Sequence, residues 1–183
     1  LYRLLREGCG GRMKALGFGR LAGTSLGWTR REGDLFVSIW FQAARNGWMD
    51  GFGSRFTFEF QLDPEAAVGA WQIDRRRRYM RLLNSDEREL VREWNDDILA
   101  RLPGFAANPA REAMLKDMHP SMVEMYRNSC QPSTAPYPPG VDVWLRYYEP
   151  PDVERWAAWI AGSMPALLTR FLDAIGSTNA STA

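Results

Sequence analysis

The residues that could do chemistry are few and dispersed. The chain has one histidine, His119, next to Pro120. A lone imidazole can serve as a general base or a metal ligand. Zinc needs three or four His, Cys or carboxylate ligands at set spacings, and none gathers around His119. Asp96 and Asp97 are adjacent on a helical pattern, so their carboxylates diverge by about 100° and make no dyad. No G-x-S-x-G elbow, phosphate loop or dinucleotide fingerprint occurs, and "GFGRLAG" at 17–23 lacks both the fingerprint spacing and a following helix. The sequence therefore assigns no catalytic set, no metal site and no cofactor.

Binding chemistry is better represented. Five of the seven residues from Arg75 to Arg81 are arginine: Arg75, Arg76, Arg77, Arg78 and Arg81. Clustered guanidiniums bind phosphates, and Tyr79 adds a ring on which a base can stack. The bland alternative is a solvated segment partly paired with the acidic helix downstream, around Asp86 and Glu87. A second candidate is one face of the strands, where Trp40, Gln42, Arg55, Thr57, Glu59, Trp144, Arg146 and Tyr148 alternate with apolar residues. Of these, Trp40, Gln42, Arg55, Trp144 and Arg146 are expected to flank one pocket. A third is the connection "AARNGWMDGFGS" at 43–54. It is longer than most hairpin loops need, and it carries Trp48, Met49 and Phe52. Those side chains either bind a partner or fold back over the sheet edge.

The elements that must position these residues follow from periodicity. Residues 2–16 read as a helix with Leu1, Leu5, Cys9 and Leu16 on one face. Three glycines in "GCGG" weaken it by about 1 kcal/mol each, and Gly17 stops it. The period then becomes two. "GFGRLAG" and "SLGWTRR" are short strands. "LFVSIWFQ" turns Leu35, Val37, Ile39 and Phe41 one way and Phe36, Ser38, Trp40 and Gln42 the other, and "RFTFEFQL" turns Phe56, Phe58, Phe60 and Leu62 inward with Arg55, Thr57, Glu59 and Gln61 outward. Residues 86–102 form a helix capped by Asn84 and Glu87, with Leu90, Trp94, Ile98 and Leu102 as its buried stripe. A second helical region spans 110–128, and a Pro-rich loop follows at 129–140. "VDVWLRYYE" at 141–149 is a strand far from the other four in sequence, which need not pair with the fourth. The last helix begins with Asp152 as its cap, carries a stripe from Trp156 to Ile175, and should kink at Pro165. The expected fold is α+β, a mainly antiparallel sheet of about five strands packed with N-terminal, inserted and C-terminal helices. The expected organisation is one domain over 1–175, a helical insertion at about 75–130 and a disordered tail at 176–183.

Residues 12–62 resemble the start of a bacterial family known only as a domain of unknown function. The likeness sits in "LGF" at 16–18, the aromatic-Thr-Arg strand at 28–30, "WFQ" at 40–42 and "RFTFEF" at 55–60. "DVWLRYYE" followed by an amphipathic helix resembles that family's second half, so the likeness covers roughly half the chain. It implies a single cytoplasmic bacterial domain and brings no activity with it.

Charge and composition narrow the function classes. The formal net charge of the 183 residues is +1, which gives no global case for nucleic acid or a membrane. The charge is uneven: residues 1–81 carry +6 and residues 82–183 carry −5. Arginine outnumbers lysine 21 to 2, a bias with the stamp of genome composition. Cys9 and Cys130 are isolated and fit a reducing cytoplasm. No run reaches the ~20 apolar residues of a membrane span, and no signal-peptide pattern follows Leu1. The leading expectation is a cytoplasmic, non-catalytic domain that binds an unknown small molecule or protein through the aromatic/arginine face and the 43–54 loop. An enzyme with its site on the same face comes second. Nucleic-acid binding through residues 75–81 comes third.

Overall fold

The computed structural model describes residues 1–49, 52–66, 68, 75–102, 116, 119–121, 123–124, 132–133, 135 and 137–180. Helix α1 (Tyr2–Ala15) leads into strands β1 (Gly19–Arg20), β2 (Gly27–Glu32), β3 (Leu35–Ala43) and β4 (Ser54–Asp63). Strand β5 (Arg76–Arg78), a 3-10 turn (Tyr79–Leu82), helix α2 (Ser85–Arg101), strand β6 (Leu145–Tyr147) and helix α3 (Pro150–Ala180) follow. The architecture is α+β, with N-terminal, inserted and C-terminal helices packed on an antiparallel sheet.

Six strands are present among the described residues rather than about five, in the order β1-β2-β3-β4-β5, with β6 also on β4. The extra strand is the arginine run, which sequence periodicity does not mark because all its residues are charged. Strands β5 and β6 share the far edge of β4. Arg76 to Arg78 pair with Gln61 to Glu59, and Leu145 to Tyr147 pair with Phe56 to Ser54. The strand left open to pair elsewhere therefore does pair with the fourth.

The apolar face of β3 and β4 makes the core. Val37, Ile39, Phe41, Phe56, Phe58 and Phe60 are all buried, as the alternation predicts. Phe58 stacks on Tyr79 at 4.7 Å between centroids, and Phe60 meets Phe171 of α3 at 5.4 Å. Each fully buried ring contributes about 2–3 kcal/mol of transfer free energy. Helix α1 presents Leu5, Cys9 and Met13 to this core, and Leu1 and Leu16 lie at its margin. Its glycine at position 8 has a packing reason: a Cβ there would stand 2.6 Å from the Cβ of Ala157, so the small residue sets how closely α1 approaches α3. Gly17 ends the helix as expected, with φ +81° and the bonds Gly17 N–H to Lys14 O and Phe18 N–H to Met13 O. Cys9 is a free thiol in the core; burial pushes it up to about 12, and its Sγ lies 3.5 Å from Ala157 O.

Several expectations need correction. In α2 the capping box is present: Asn84 Oδ1 accepts from Glu87 N–H at 2.9 Å, and Glu87 Oε2 accepts from Asn84 N–H at 2.8 Å. The buried stripe, however, is Val91, Asn95 and Ile98, with Leu90 and Trp94 only partly buried. The strand expected over 141–149 shortens to three residues. Asp152 is not the cap residue of α3 but sits in its first turn. From there its carboxylate reaches back to accept from Tyr148 N–H at 2.8 Å and Glu149 N–H at 2.9 Å. Helix α3 runs from Pro150 to Ala180 with Pro165 inside it. The helical region at 110–128 lies almost wholly outside the described residues, as does Cys130.

Burial acts to raise the Asp152 carboxyl. Those two N–H donors and the Arg101 guanidinium outweigh it and hold the carboxyl below the usual aspartate range. A depressed carboxylate contributes stability that is present above its unfolded pKa and lost as pH falls through the folded one. Asp152→Asn should therefore lower stability at pH 7 by about 1–3 kcal/mol. In urea unfolding, the gap to wild type should close as pH drops below about 4; a gap that stays constant down to pH 2 contradicts this account.

Gly53 has φ +62°, and a Cβ there would overlap the Tyr147 carbonyl. Gly53→Ala should cost about 2–4 kcal/mol, because it pairs an unfavourable φ with a backbone clash. Gly11→Ala, on the exposed side of α1 with open space around it, should gain about 0.5–1 kcal/mol. Calorimetric melting of the two variants checks both signs.

Candidate functional site

Strand alternation places Ser38, Trp40 and Gln42 of β3, and Arg55, Thr57, Glu59 and Gln61 of β4, on the sheet face opposite the core. The register pairs Trp40 with Glu59 and Gln42 with Thr57. Across the far edge it pairs Glu59 with Arg78 and Arg55 with Arg146. Gln42 and Arg146 thus share a face, as the expected pocket requires. This face was read as outward, yet Ser38, Trp40, Thr57, Glu59 and Gln61 are buried.

The reason centres on Glu59, which is 1% exposed. Its carboxylate accepts from Arg76 Nε, from Arg78 Nε at 3.0 Å and from Gln42 Nε2 at 3.0 Å. Arg78 also pairs with Asp142. The same guanidiniums lie on rings: Arg76 is 5.2 Å from the Trp40 centroid, and Arg78 is 5.7 Å from that of Trp144. Arg55 lies 5.7 Å from the Trp144 centroid as well. Arg76 and Arg78 are therefore structural cations, and their partners are Glu59 and Asp142 rather than Asp86 and Glu87. Glu87 is taken by Arg170 of α3 at 2.5 and 3.1 Å. Thr57 sits between Arg55 and Glu59 with its hydroxyl buried and without a hydrogen-bond partner. Such a group costs about 1–3 kcal/mol.

The expected pocket forms in part. A cavity of about 290 Å³ is lined by Arg45, Met49, Phe52, Arg55, Trp144 and Arg146, with small residues of the 43–54 loop. Trp40 and Gln42 are not in its wall; they belong to the Glu59 cluster. The loop is shaped by its own hydrogen bonds. Ala44 N–H reaches Arg55 O at 2.8 Å, and Met49 and Gly53 exchange bonds of 2.9 and 2.8 Å. Trp48 folds back over the sheet edge in part. Its indole N–H donates to Tyr148 O at 3.0 Å and its ring stacks on Tyr148, while 51% of it stays exposed.

Positioning residues that sequence reasoning passed over hold Trp144 and Arg146 in place. Asn95, 1% exposed within α2, donates to Trp144 O at 3.1 Å and accepts from Arg146 N–H at 2.8 Å, taking the role of a neighbouring strand. Trp156 donates its indole N–H to Arg146 O at 2.6 Å. The available signal was a polar residue on the Val91–Ile98 stripe, since a buried amide must find partners.

A second cavity of about 300 Å³ adjoins the Glu59 cluster, lined by Glu59, Arg76, Arg77, Arg78, Met80, Arg81 and residues 140–142. His119 is exposed, with Nδ1 2.8 Å from Ser121 Oγ in a local turn. Among the described residues no three His, Cys, Asp or Glu side chains converge on a metal position, and no helix is long and apolar enough to cross a membrane.

Glu59 is nearly inaccessible, whereas Arg76 and Arg78 are each about one-third exposed. Removing the cations strands a buried charge; removing the anion leaves cations that water can reach. The double variant Arg76→Gln/Arg78→Gln should therefore lose more stability than Glu59→Gln, which should itself lose about 2 kcal/mol. Urea unfolding gives the order, and the reverse order would sink the assignment of these residues. No family model, curated protein or solved structure matches the chain, so the family likeness of its strand motifs rests on those residues alone.

Proposed function

We propose that the chain is a non-catalytic binding domain whose pocket under the 43–54 loop takes a small organic anion with an apolar body. The observation that carries this reading is the composition of the wall. Arg45, Arg55 and Arg146 meet Met49, Phe52 and Trp144 around one cavity, and its described lining holds no carboxylate. Positive charge on a wall whose described residues hold no carboxylate favours an anion, and the planar fork of arginine suits carboxylate and phosphate oxygens. The Arg55 guanidinium has no ion-pair partner among the described residues, so it keeps its hydrogen-bond donors for a ligand while lying near the Trp144 ring. The apolar members supply the desolvated surface that a ligand body needs. An enzyme on the same face would call for a carboxylate poised beside an arginine. The carboxylates at hand, Glu59 and Asp142, are instead engaged by Arg76 and Arg78. Two cysteines that share no motif in the sequence support a reducing, cytoplasmic setting in this reading.

Calorimetric titration with hexanoate and with hexanamide tests it. Hexanoate should bind at least about tenfold more tightly than the amide, and Arg55→Gln should remove that difference. Equal binding of the two, or no binding of hexanoate, rejects the proposal.

A further inference from the structure

We infer that the ligand is a dianion, with one anionic end in the loop pocket and the other in the second cavity, against Arg81 and Arg76. This rests on the proposed function of the loop pocket and extends it.

Arg76 and Arg81 bring positive charge to the second cavity, whose carboxylates Glu59 and Asp142 are engaged by Arg76 and Arg78. The carboxylates do not exhaust the donors. Arg76 meets Glu59 through Nε, which leaves its two terminal nitrogens available, and the side chain is 33% exposed. Arg81 is exposed and has no ion-pair partner among the described residues. Met80 and Val141 give this cavity apolar wall too.

The two cavities are neighbours on one face. Arg55 belongs to the first and Arg78 to the second, and both lie 5.7 Å from the centroid of the same Trp144 ring. Their guanidinium carbons are thus no more than about 11 Å apart, a span that a short flexible chain covers. A molecule with two anionic groups and an apolar spine matches cation, apolar wall, cation in that order. Once one end is bound, the other is held at high effective concentration near its subsite.

The test is calorimetric titration of the full chain with hexanoate and with unbranched α,ω-dicarboxylates of six to twelve carbons. Affinity should peak at one chain length, on the order of 100-fold above hexanoate. Arg81→Gln should abolish the peak and leave hexanoate binding unchanged, and circular dichroism should show the fold intact. Arg55→Gln should weaken both ligand types. Dicarboxylates that bind no better than hexanoate at any length, or a peak that survives Arg81→Gln, overturn the dianion while leaving the loop pocket standing. Failure of hexanoate itself overturns both.

Discussion

The far edge of β4 depends on the buried carboxylate of Glu59. Strand β5 is three arginines long and offers the sheet no apolar side chain. Backbone pairing over three residues is too short to hold it, given the entropy of ordering the segment. What ties it down is the pair of contacts from Arg76 and Arg78 to one carboxylate on the neighbouring strand, with Gln42 closing the third side. An isolated carboxylate at that depth would be costly. Two cations and an amide make the burial tolerable, and their rings and stems shield the site from water. The ion pairs at Glu59 and the burial of Tyr79, next in the chain and stacked on Phe58, together anchor this strand.

The other half of the same edge is fixed by a different device. Strand β6 is also three residues long, but Asn95 and Trp156 hold its backbone from the side away from β4. Asp152 then draws the chain from β6 into α3 by accepting the N–H groups of Tyr148 and Glu149, while Arg101 ties that carboxylate back to α2. Arg146 and Trp144 are therefore positioned by polar contacts to two helices, although they are addressed to the cavity. Arg146 and the adjoining Trp144 line the cavity from a short strand with a rigid backing, which is how a small cavity keeps its geometry.

Much of the fold was legible because it rests on apolar periodicity. The alternation in "LFVSIWFQ" and "RFTFEFQL" marks β3, β4 and the core face correctly, and the helical stripe from Trp156 to Ile175 marks α3. The parts that failed are those where polar contacts decide. An all-arginine strand has no hydrophobic period to detect. In α2 the buried stripe passes through Asn95, so an apolar count turned the helix toward Leu90 and Trp94. Glu59, read as outward by alternation, is buried because of arginines 17 and 19 residues away. Of the five residues expected to flank one pocket, Arg55, Trp144 and Arg146 line one cavity, together with Met49 and Phe52 of the loop. Trp40 and Gln42 share their face but serve Glu59, and no local pattern separates the two roles.

The arginine run shows why residue type matters more here than net charge. Arg76 and Arg78 each engage Glu59 through Nε while the guanidinium lies over an indole. A lysine carries its charge at a compact terminus, with no second set of nitrogens on the far side and no flat face to lay on Trp40 or Trp144. It could neutralise Glu59 but could not also stack and keep donors turned toward the cavity. Arg55 and Arg78, both near Trp144, use the same property from opposite cavities. The excess of arginine over lysine, which composition alone gives no reason to read as chemistry, is at these positions tied to structure. Each of these guanidiniums serves a carboxylate or a ring of the fold and still has nitrogen donors to spare.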